Sequence, residues 1–326
     1  MRILITGATG LVGNEIVRQC QARKISVNYL TTSKDKMVTK PDYHGFYWNP
    51  DSGVIDEACF EGVTAIINLA GASISKRWTT HNKKEILSSR VNTLRTLHRA
   101  LKKQKTLKPG NYKAITSFVS ASAIGVYPDS LSSYYTEIEK KIDDSFLGEV
   151  VEVWEKEADA FNDFDFSVAK VRIGLVMSSD GGALPEMAKP VKNYVGAAFG
   201  SGEQWQSWIH VSDLARMFLF TVENALIGIF NGVGPNPVTN NRLVKEIAKA
   251  VDRPLFLPNI PKFVMKTILG EMAYLLFASQ RVSCKKIEEE GFIFTYPNVC
   301  VALKEIYGNG QNENASDVVY NKEYSS

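Results

Sequence analysis

The sequence predicts an α/β protein built on an open parallel sheet. Three observations carry this expectation. Short apolar runs at 3–5, 64–70, 117–122 and 166–177 are bounded by stretches of helical period. A glycine-rich turn joins the first run to the first helix. The chain has 326 residues, 44% of them hydrophobic, which is enough to bury a large core in one domain or two intertwined ones.

Composition narrows the function. Thirty-eight basic against 35 acidic residues leave a net charge of +3, with no footprint for nucleic acid or a membrane surface. Cys20, Cys59, Cys284 and Cys300 are scattered without CxxC or metal-ligand spacing, so they read as reduced thiols in a cytoplasmic protein with no metal site. The first residues run straight into a strand, leaving no room for an export signal. The most apolar window, 263–279, is interrupted by Lys266 and Glu271 and is too short to span a bilayer. The polar tail 308–326 reads as frayed.

The first strand holds Ile3, Leu4 and Ile5, and Gly7-Ala-Thr-Gly-Leu-Val-Gly13 follows. Leu11, Ile16, Val17 and Cys20 then recur at roughly helical spacing. Gly7 permits the tight turn, Gly10 a close approach of backbone to a pyrophosphate, and Gly13 close packing of helix on strand. The free N–H groups of the helix start complete an anion site. The spacing is GxxGxxG rather than GxGxxG, but strand, turn and helix stand in the order that dinucleotide binding requires. Gly7, Thr9, Gly10, Leu11, Val12 and Gly13 are therefore the predicted cofactor contacts. The alternative is an ordinary glycine-rich βα turn.

The second strand, 25–31, decides between dinucleotides. An acid at its end would bond a ribose 2′-hydroxyl and indicate NAD. Here the chain reads Thr31-Thr-Ser-Lys-Asp-Lys36, and Thr32, Ser33 and Lys34 suit the 2′-phosphate of NADP. The plain alternative is a solvated turn. The third run, "TAIINLA", brings Asn68, Leu69, Ala70 and Gly71 to the carboxyl ends of the strands, where ligands of open parallel sheets lie. The helix over 82–102 carries Leu87, Val91, Leu94, Leu97 and Leu101 on one stripe. Arg90 and Asn92 fall off that stripe and read as surface polarity. "SFVSAS" then places Ser120 and Ser122 at the end of a fourth strand.

These residues resemble a known family. The glycine turn, "NLAG" at 68–71 and "FVSASAIGVYP" at 118–128 are similar to extended short-chain dehydrogenase/reductases, which include nucleotide-sugar epimerases. "KRWTTHNKKEILSSRVNT" (76–93), "GGAL" (181–184), "GSGEQWQSWIHVSDLA" (200–215), "NGVGPNPVTN" (231–240), "LGEMA" (269–273) and "GFIF" (291–294) resemble an atypical, epimerase-like branch, some of whose members are described as cell-division-inhibitor homologues. The likeness covers about residues 1–307. It implies a doubly wound parallel sheet in a Rossmann domain over 1–177, to which 205–234 returns, and a smaller C-terminal substrate lobe from 178–204 and 235–307. The stretch 166–177 would be one core strand, and the apolar segment up to Phe277 would pack within the lobe. "LGEMA" reads as helix packing, compatible with a subunit contact in a homodimer.

In active members of the family a Ser or Thr, a Tyr and a Lys four residues later carry the proton chemistry. The resemblance implies that Ser122 is that serine and faces the nicotinamide. The Tyr–Lys pair should lie on the next helix, 146–161, whose stripe is Leu147, Val151, Trp154, Ala158 and Phe161. No YxxxK occurs there or elsewhere in the sequence. The pair would fall near Val150 or Val151 and Trp154 or Glu155, with Trp154 better explained as core. Tyr127 is one substitute acid, although a packing aromatic is the preferred reading. Glu155 is another, although a solvated helix face is preferred. His210 titrates near neutrality and is a third, against a structural role in a family segment "IHVxD". Trp205 and Trp208, in a loop with two glycines and two amides, suit a pocket rim for a polar ligand or an ordered loop under the lobe. Lys76, Arg77 and Arg90 are candidate anion contacts.

The expectation is an NADP-binding oxidoreductase or epimerase-like protein acting on a polar, nucleotide-sugar-like alcohol or carbonyl. The alternative is a non-catalytic NADPH-binding regulator of a protein partner.

Overall fold

The computed structural model of the protein describes residues 1–308. The reading of the tail as frayed falls, beyond Gly308, outside the described residues. Among those described, a nine-stranded sheet forms the centre. Its seven parallel strands run in the spatial order Gly228–Gly232, Ser167–Ile173, Ser117–Ala123, Ala65–Asn68, Arg2–Thr6, Ser26–Thr31, Tyr43–Asn49. Thr39–Lys40 and Val54–Ile55 add antiparallel to the last of these.

The strand order reverses at Arg2–Thr6. The chain first moves outward through Ser26–Thr31 and Tyr43–Asn49, then crosses back to pair Ala65–Asn68 on the other side of the first strand. This opens a crevice beyond the strand ends, the ligand position in doubly wound sheets. Ile3, Leu4 and Ile5 are wholly buried, which explains why this run does not alternate. Two helix pairs cover the sheet: Leu11–Ala22 with Val211–Glu223, and Thr80–Leu107 with Phe146–Asp159. Thr79 and Ser145 cap the second pair through their hydroxyls, at 3.2 Å from Asn82 N and 3.4 Å from Gly148 N.

A second apolar cluster gathers Met177, Leu184, Val191, Trp208, Leu243, Ile247 and Leu303. No helix among the described residues is long and apolar enough to cross a membrane.

Three expectations need correction. The stretch 166–177 is two strands, Ser167–Ile173 and Leu175–Met177, which part at Gly174. A Cβ there would stand 2.3 Å from Ser207 O, so the chain turns against that backbone, and the second strand pairs with Trp208–His210 instead. The helix over 146–161 is α-helical to Asp159 and then tightens to a 3₁₀ turn. The apolar segment before Phe277 is not lobe packing throughout: no residue of Lys262–Leu269 is buried, and Phe263 is 71% exposed.

Candidate functional site

The glycine turn is shaped by contacts that only glycine satisfies. Gly7 has φ +69°, and a Cβ on it would lie 3.0 Å from Leu69 C. A Cβ on Gly13 would lie 2.1 Å from Gly7 O, so the helix could not sit on the turn with any side chain there. Gly10 is the N-cap of Leu11–Ala22 and provides no side-chain cap. The first N–H groups of this helix therefore point out uncapped at the switch point, the arrangement that accepts a pyrophosphate.

Around the turn lies a cleft of about 670 Å³. It is lined by Gly7, Thr9 and Gly10 from the first strand end, by Thr31, Thr32, Ser33 and Lys36 from the second, and by Ala70, Gly71 and Ala72 from the third. The strand ends are cross-tied. Thr6 Oγ1 donates to Asn68 Oδ1 at 2.8 Å and accepts from Leu69 N and Ala70 N at 3.1 Å, and Asn68 Nδ2 donates to Ser120 Oγ at 3.1 Å. Leu69 and Ser120 thus enter as scaffold. Leu11 packs under the 181–184 loop and Val12 against the core.

Among the described residues no carboxylate stands at the end of the second strand within this cleft. Asp51, the one Asp lining it, comes from the loop after Tyr43–Asn49 and accepts from Asn92 Nδ2 at 2.9 Å. Lys34 does not line the cleft: its ammonium lies over the Tyr47 ring, 5.3 Å from the centroid. Lys36, two residues on, lines it instead. The three-residue 3₁₀ turn Lys34–Lys36 rotates the two lysines to different sides, which residue type alone does not reveal.

The residues offered for proton transfer sit in buried networks. Ser122 Oγ donates to Glu155 Oε1 at 2.6 Å, and Arg172 grips both oxygens of that carboxylate at 2.8 Å. Glu155 is 8% exposed, so its reading as a solvated helix face is overturned. Burial pushes its carboxyl up, but the bonds from Arg172 and Ser122 reverse this and hold it below the usual carboxylate range. Tyr127 is wholly buried, donates to Asn231 Oδ1 at 2.7 Å and accepts from Arg172 Nη1 at 2.9 Å. It stacks on Tyr135, as a packing aromatic does. Val150 and Val151 are buried core.

His210 is placed elsewhere. Its Nδ1 accepts from Ser212 N at 3.2 Å as the cap of Val211–Glu223, so the proton is on Nε2 and points to Glu305 Oε2 at 3.0 Å. Both ring nitrogens are committed, and His210 is not among the residues that line the cleft. The tryptophans of the 200–208 loop also separate. Trp208 is wholly buried in the second cluster with Nε1 on Asn236 O at 2.8 Å, so its reading as a pocket rim is corrected. Trp205 is half-buried, ties to Leu131 O at 3.1 Å and lies under the Arg281 guanidinium.

The three candidate cations do not converge. Lys76 pairs with Glu85 at 3.4 Å, and Arg77 is exposed. Arg90, read as surface polarity, folds inward onto the Trp154 ring, 4.9 Å from its centroid. A second cleft of about 320 Å³ opens between Ser145–Phe146 and the 262–278 segment, with Trp78, Phe146 and Tyr274 as flat walls, Lys262 and Lys266 as cations and Asp129 and Glu271 as acids. Trp78 lies in the "KRW" stretch, and Gly270, Glu271 and Ala273, which also line this cleft, lie in "LGEMA". Among the described residues no group of three or more His, Cys, Asp or Glu is placed to hold a metal ion.

Residues 3–147 match the NAD dependent epimerase/dehydratase family, and residues 260–306 match a domain of unknown function. An epimerase family protein of Staphylococcus haemolyticus is 36% identical over 306 residues, covering 94% of this chain and 98% of the relative. Among solved structures, a human epimerase family protein crystallised with NADPH superposes with a TM-score of 0.80 at 29% identity, covering 95% of this chain and all of that one. The nucleoside-diphosphate sugar epimerase of Corynebacterium glutamicum gives a TM-score of 0.73 at 27% identity, with 94% of this chain matched to 58% of a longer one.

Proposed function

This chain belongs to the epimerase family, and we propose from that premise that it is an NADP(H)-dependent oxidoreductase or epimerase-like protein acting on a polar alcohol or carbonyl. The observation that carries this reading is the end of the second strand. Thr31, Thr32, Ser33 and Lys36 face the cleft there, with hydroxyls and an ammonium where a ribose-binding acid would stand in an NAD site. The human relative crystallised with NADPH supports the same choice.

When bound, the dinucleotide supplies or accepts the hydride. The protein's own residues hold and orient. The uncapped start of Leu11–Ala22 takes the pyrophosphate. Ser122 donates its hydroxyl hydrogen bond to Glu155, so its oxygen is left as an acceptor toward any donor that approaches the strand end. Glu155, held ionised by Arg172, fixes that hydroxyl and is not a proton donor at neutral pH. We assign the substrate to the second cleft, whose aromatic walls suit a flat polar ring and whose lining carries both signs of charge, Lys262 and Lys266 with Asp129 and Glu271.

One observation favours a second reading. With Ser122 bonded to a buried ion pair and no Tyr–Lys pair in the chain, a non-catalytic NADPH sensor would need nothing further from this site. Its response would require states that differ in cofactor affinity.

Cofactor-stripped protein titrated with NADPH and with NADH, followed by nicotinamide fluorescence and heat, tests the first claim. NADPH binding well ahead of NADH is expected. Equal affinities would overturn the choice of NADP, and binding of neither would overturn the cofactor site. Turnover of carbonyl substrates by the loaded protein separates enzyme from sensor.

A further inference from the structure

Arg90 and Trp154 present two buried donors with no acceptor. Arg90 Nη1 is spent on the carbonyls of Ala72 and Ile86, at 3.1 and 2.8 Å. Its Nε is buried without a partner, and so is the Trp154 indole N–H. The two groups lie against each other, with the guanidinium stacked on the ring. Among the described residues no carboxylate pairs with Arg90, and burial alone pulls its pKa down to about 10. Buried cations are ordinarily paired, and buried donors are ordinarily bonded. Both exceptions meet at one place.

That place adjoins the cofactor cleft. A Cβ on Gly71 would touch the Arg90 Cγ and Cζ at 3.2 Å, so the guanidinium lies directly against a residue of the cleft wall. Ala72 and Ser89, which also line the cleft, are joined by an Ala72 N–Ser89 Oγ bond of 2.9 Å. Trp154 belongs to the helix that follows Ser117–Ala123. In the strand order this is the side of Arg2–Thr6 opposite Ser26–Thr31, and so opposite the end proposed to hold the 2′-phosphate.

We propose that Arg90 and Trp154 together form a binding site for an anionic oxygen group at the far end of the cleft from Lys36. The group has two chemical sources: the phosphate and ribose of the nicotinamide half of the cofactor, or an anionic substituent of the substrate. The inference rests on the NADP(H) reading above. Neither residue lines the cleft and both donors are sealed behind Gly71 and Ala72, so either source gives the guanidinium a counter-charge and the orphaned donors an acceptor once that wall yields to admit it.

Isothermal titration with NADPH and with 2′,5′-ADP, which lacks the nicotinamide half, tests it in the full chain. Wild type should bind both; binding of neither sinks the NADP(H) reading itself. R90Q should weaken NADPH about tenfold or more and leave 2′,5′-ADP unchanged if the cofactor is the source. W154F, which keeps the stack and loses only the N–H, should weaken NADPH by a smaller factor in the same pattern. If both variants bind NADPH as wild type does, NADPH-saturated protein is titrated with inorganic phosphate. Binding by wild type that is lost in R90Q assigns the site to the substrate anion. Unchanged NADPH and phosphate binding in soluble, folded R90Q and W154F overturns the proposal. R90K, which keeps the charge, guards against a folding defect in R90Q.

Discussion

Ser122 Oγ and Glu155 Oε1 stand 2.6 Å apart, and this bond joins the end of a central strand to a buried ion pair. Removing the carboxylate would strand Arg172, which is 5% exposed. Glu155→Ala should therefore cost about 3–5 kcal/mol of stability, read by denaturant unfolding. Ser122→Ala, which removes one hydrogen bond, should cost about 1 kcal/mol and leave NADPH affinity unchanged. A Glu155→Ala protein as stable as wild type would show that the network contributes nothing.

The same pair sets a pH dependence. The Glu155 carboxyl is lower in the folded protein than its ordinary value of 4.5. Its stabilisation is therefore fully present above that value and is lost as pH falls through the folded one. Acid titration should give Glu155→Gln a shallower loss of stability below about pH 4.5 than wild type. Parallel acid limbs would contradict the assignment.

Lys36 rather than Lys34 faces the cleft. Lys36→Ala should weaken NADPH about tenfold, the worth of one charge-assisted bond, and change NADH little. Lys34→Ala should alter neither strongly. The reverse pattern would return the 2′-phosphate contact to Lys34.

Gly13 is the least replaceable residue of the turn, because the Cβ of any substitute lands on Gly7 O. Gly13→Ala should cost about 2–3 kcal/mol by overpacking and weaken NADPH with it, through displacement of the helix from the turn. An unaltered melting temperature would mean that the helix can shift freely.

Much of the fold was legible because its signals are local. The run Ile3-Leu-Ile5, the glycines and the hydroxyl-rich strand end each report their surroundings within a few residues. The polar networks were not legible, because their partners are distant in sequence: Ser122 and Glu155 are 33 residues apart, and Tyr127 and Asn231 are 104 apart. One signal was present. Lys170 and Arg172 sit two apart within an apolar strand, hence on one side of it. Glu155 and Asp159 sit four apart, hence on one helix face. The structure pairs Lys170 with Asp159 at 2.5 Å and Arg172 with Glu155 at 2.8 Å. Arg90 was misread for a different reason. Helical periodicity says which residues leave the apolar stripe, but not that a long side chain bends back over a neighbouring ring.

His210 carries the last prediction. Its imidazole caps a helix through Nδ1 and meets Glu305 through Nε2, so its work is structural. Burial holds its pKa below the ordinary 6.5, and the pull of Glu305 offsets only part of this. Folding therefore favours the neutral ring. Its contribution is complete above about pH 6.5 and falls as pH drops and the unfolded chain takes up the proton. His210→Asn keeps an acceptor for Ser212 N and removes the titrating group. That variant should unfold with a weaker pH dependence between about pH 7 and 5, while NADPH binding stays as in wild type. His210→Ala, without the cap, should lose about 1 kcal/mol more. If His210→Asn instead abolished turnover on an identified substrate with stability and cofactor affinity intact, the imidazole would have to be counted among the groups that move the proton.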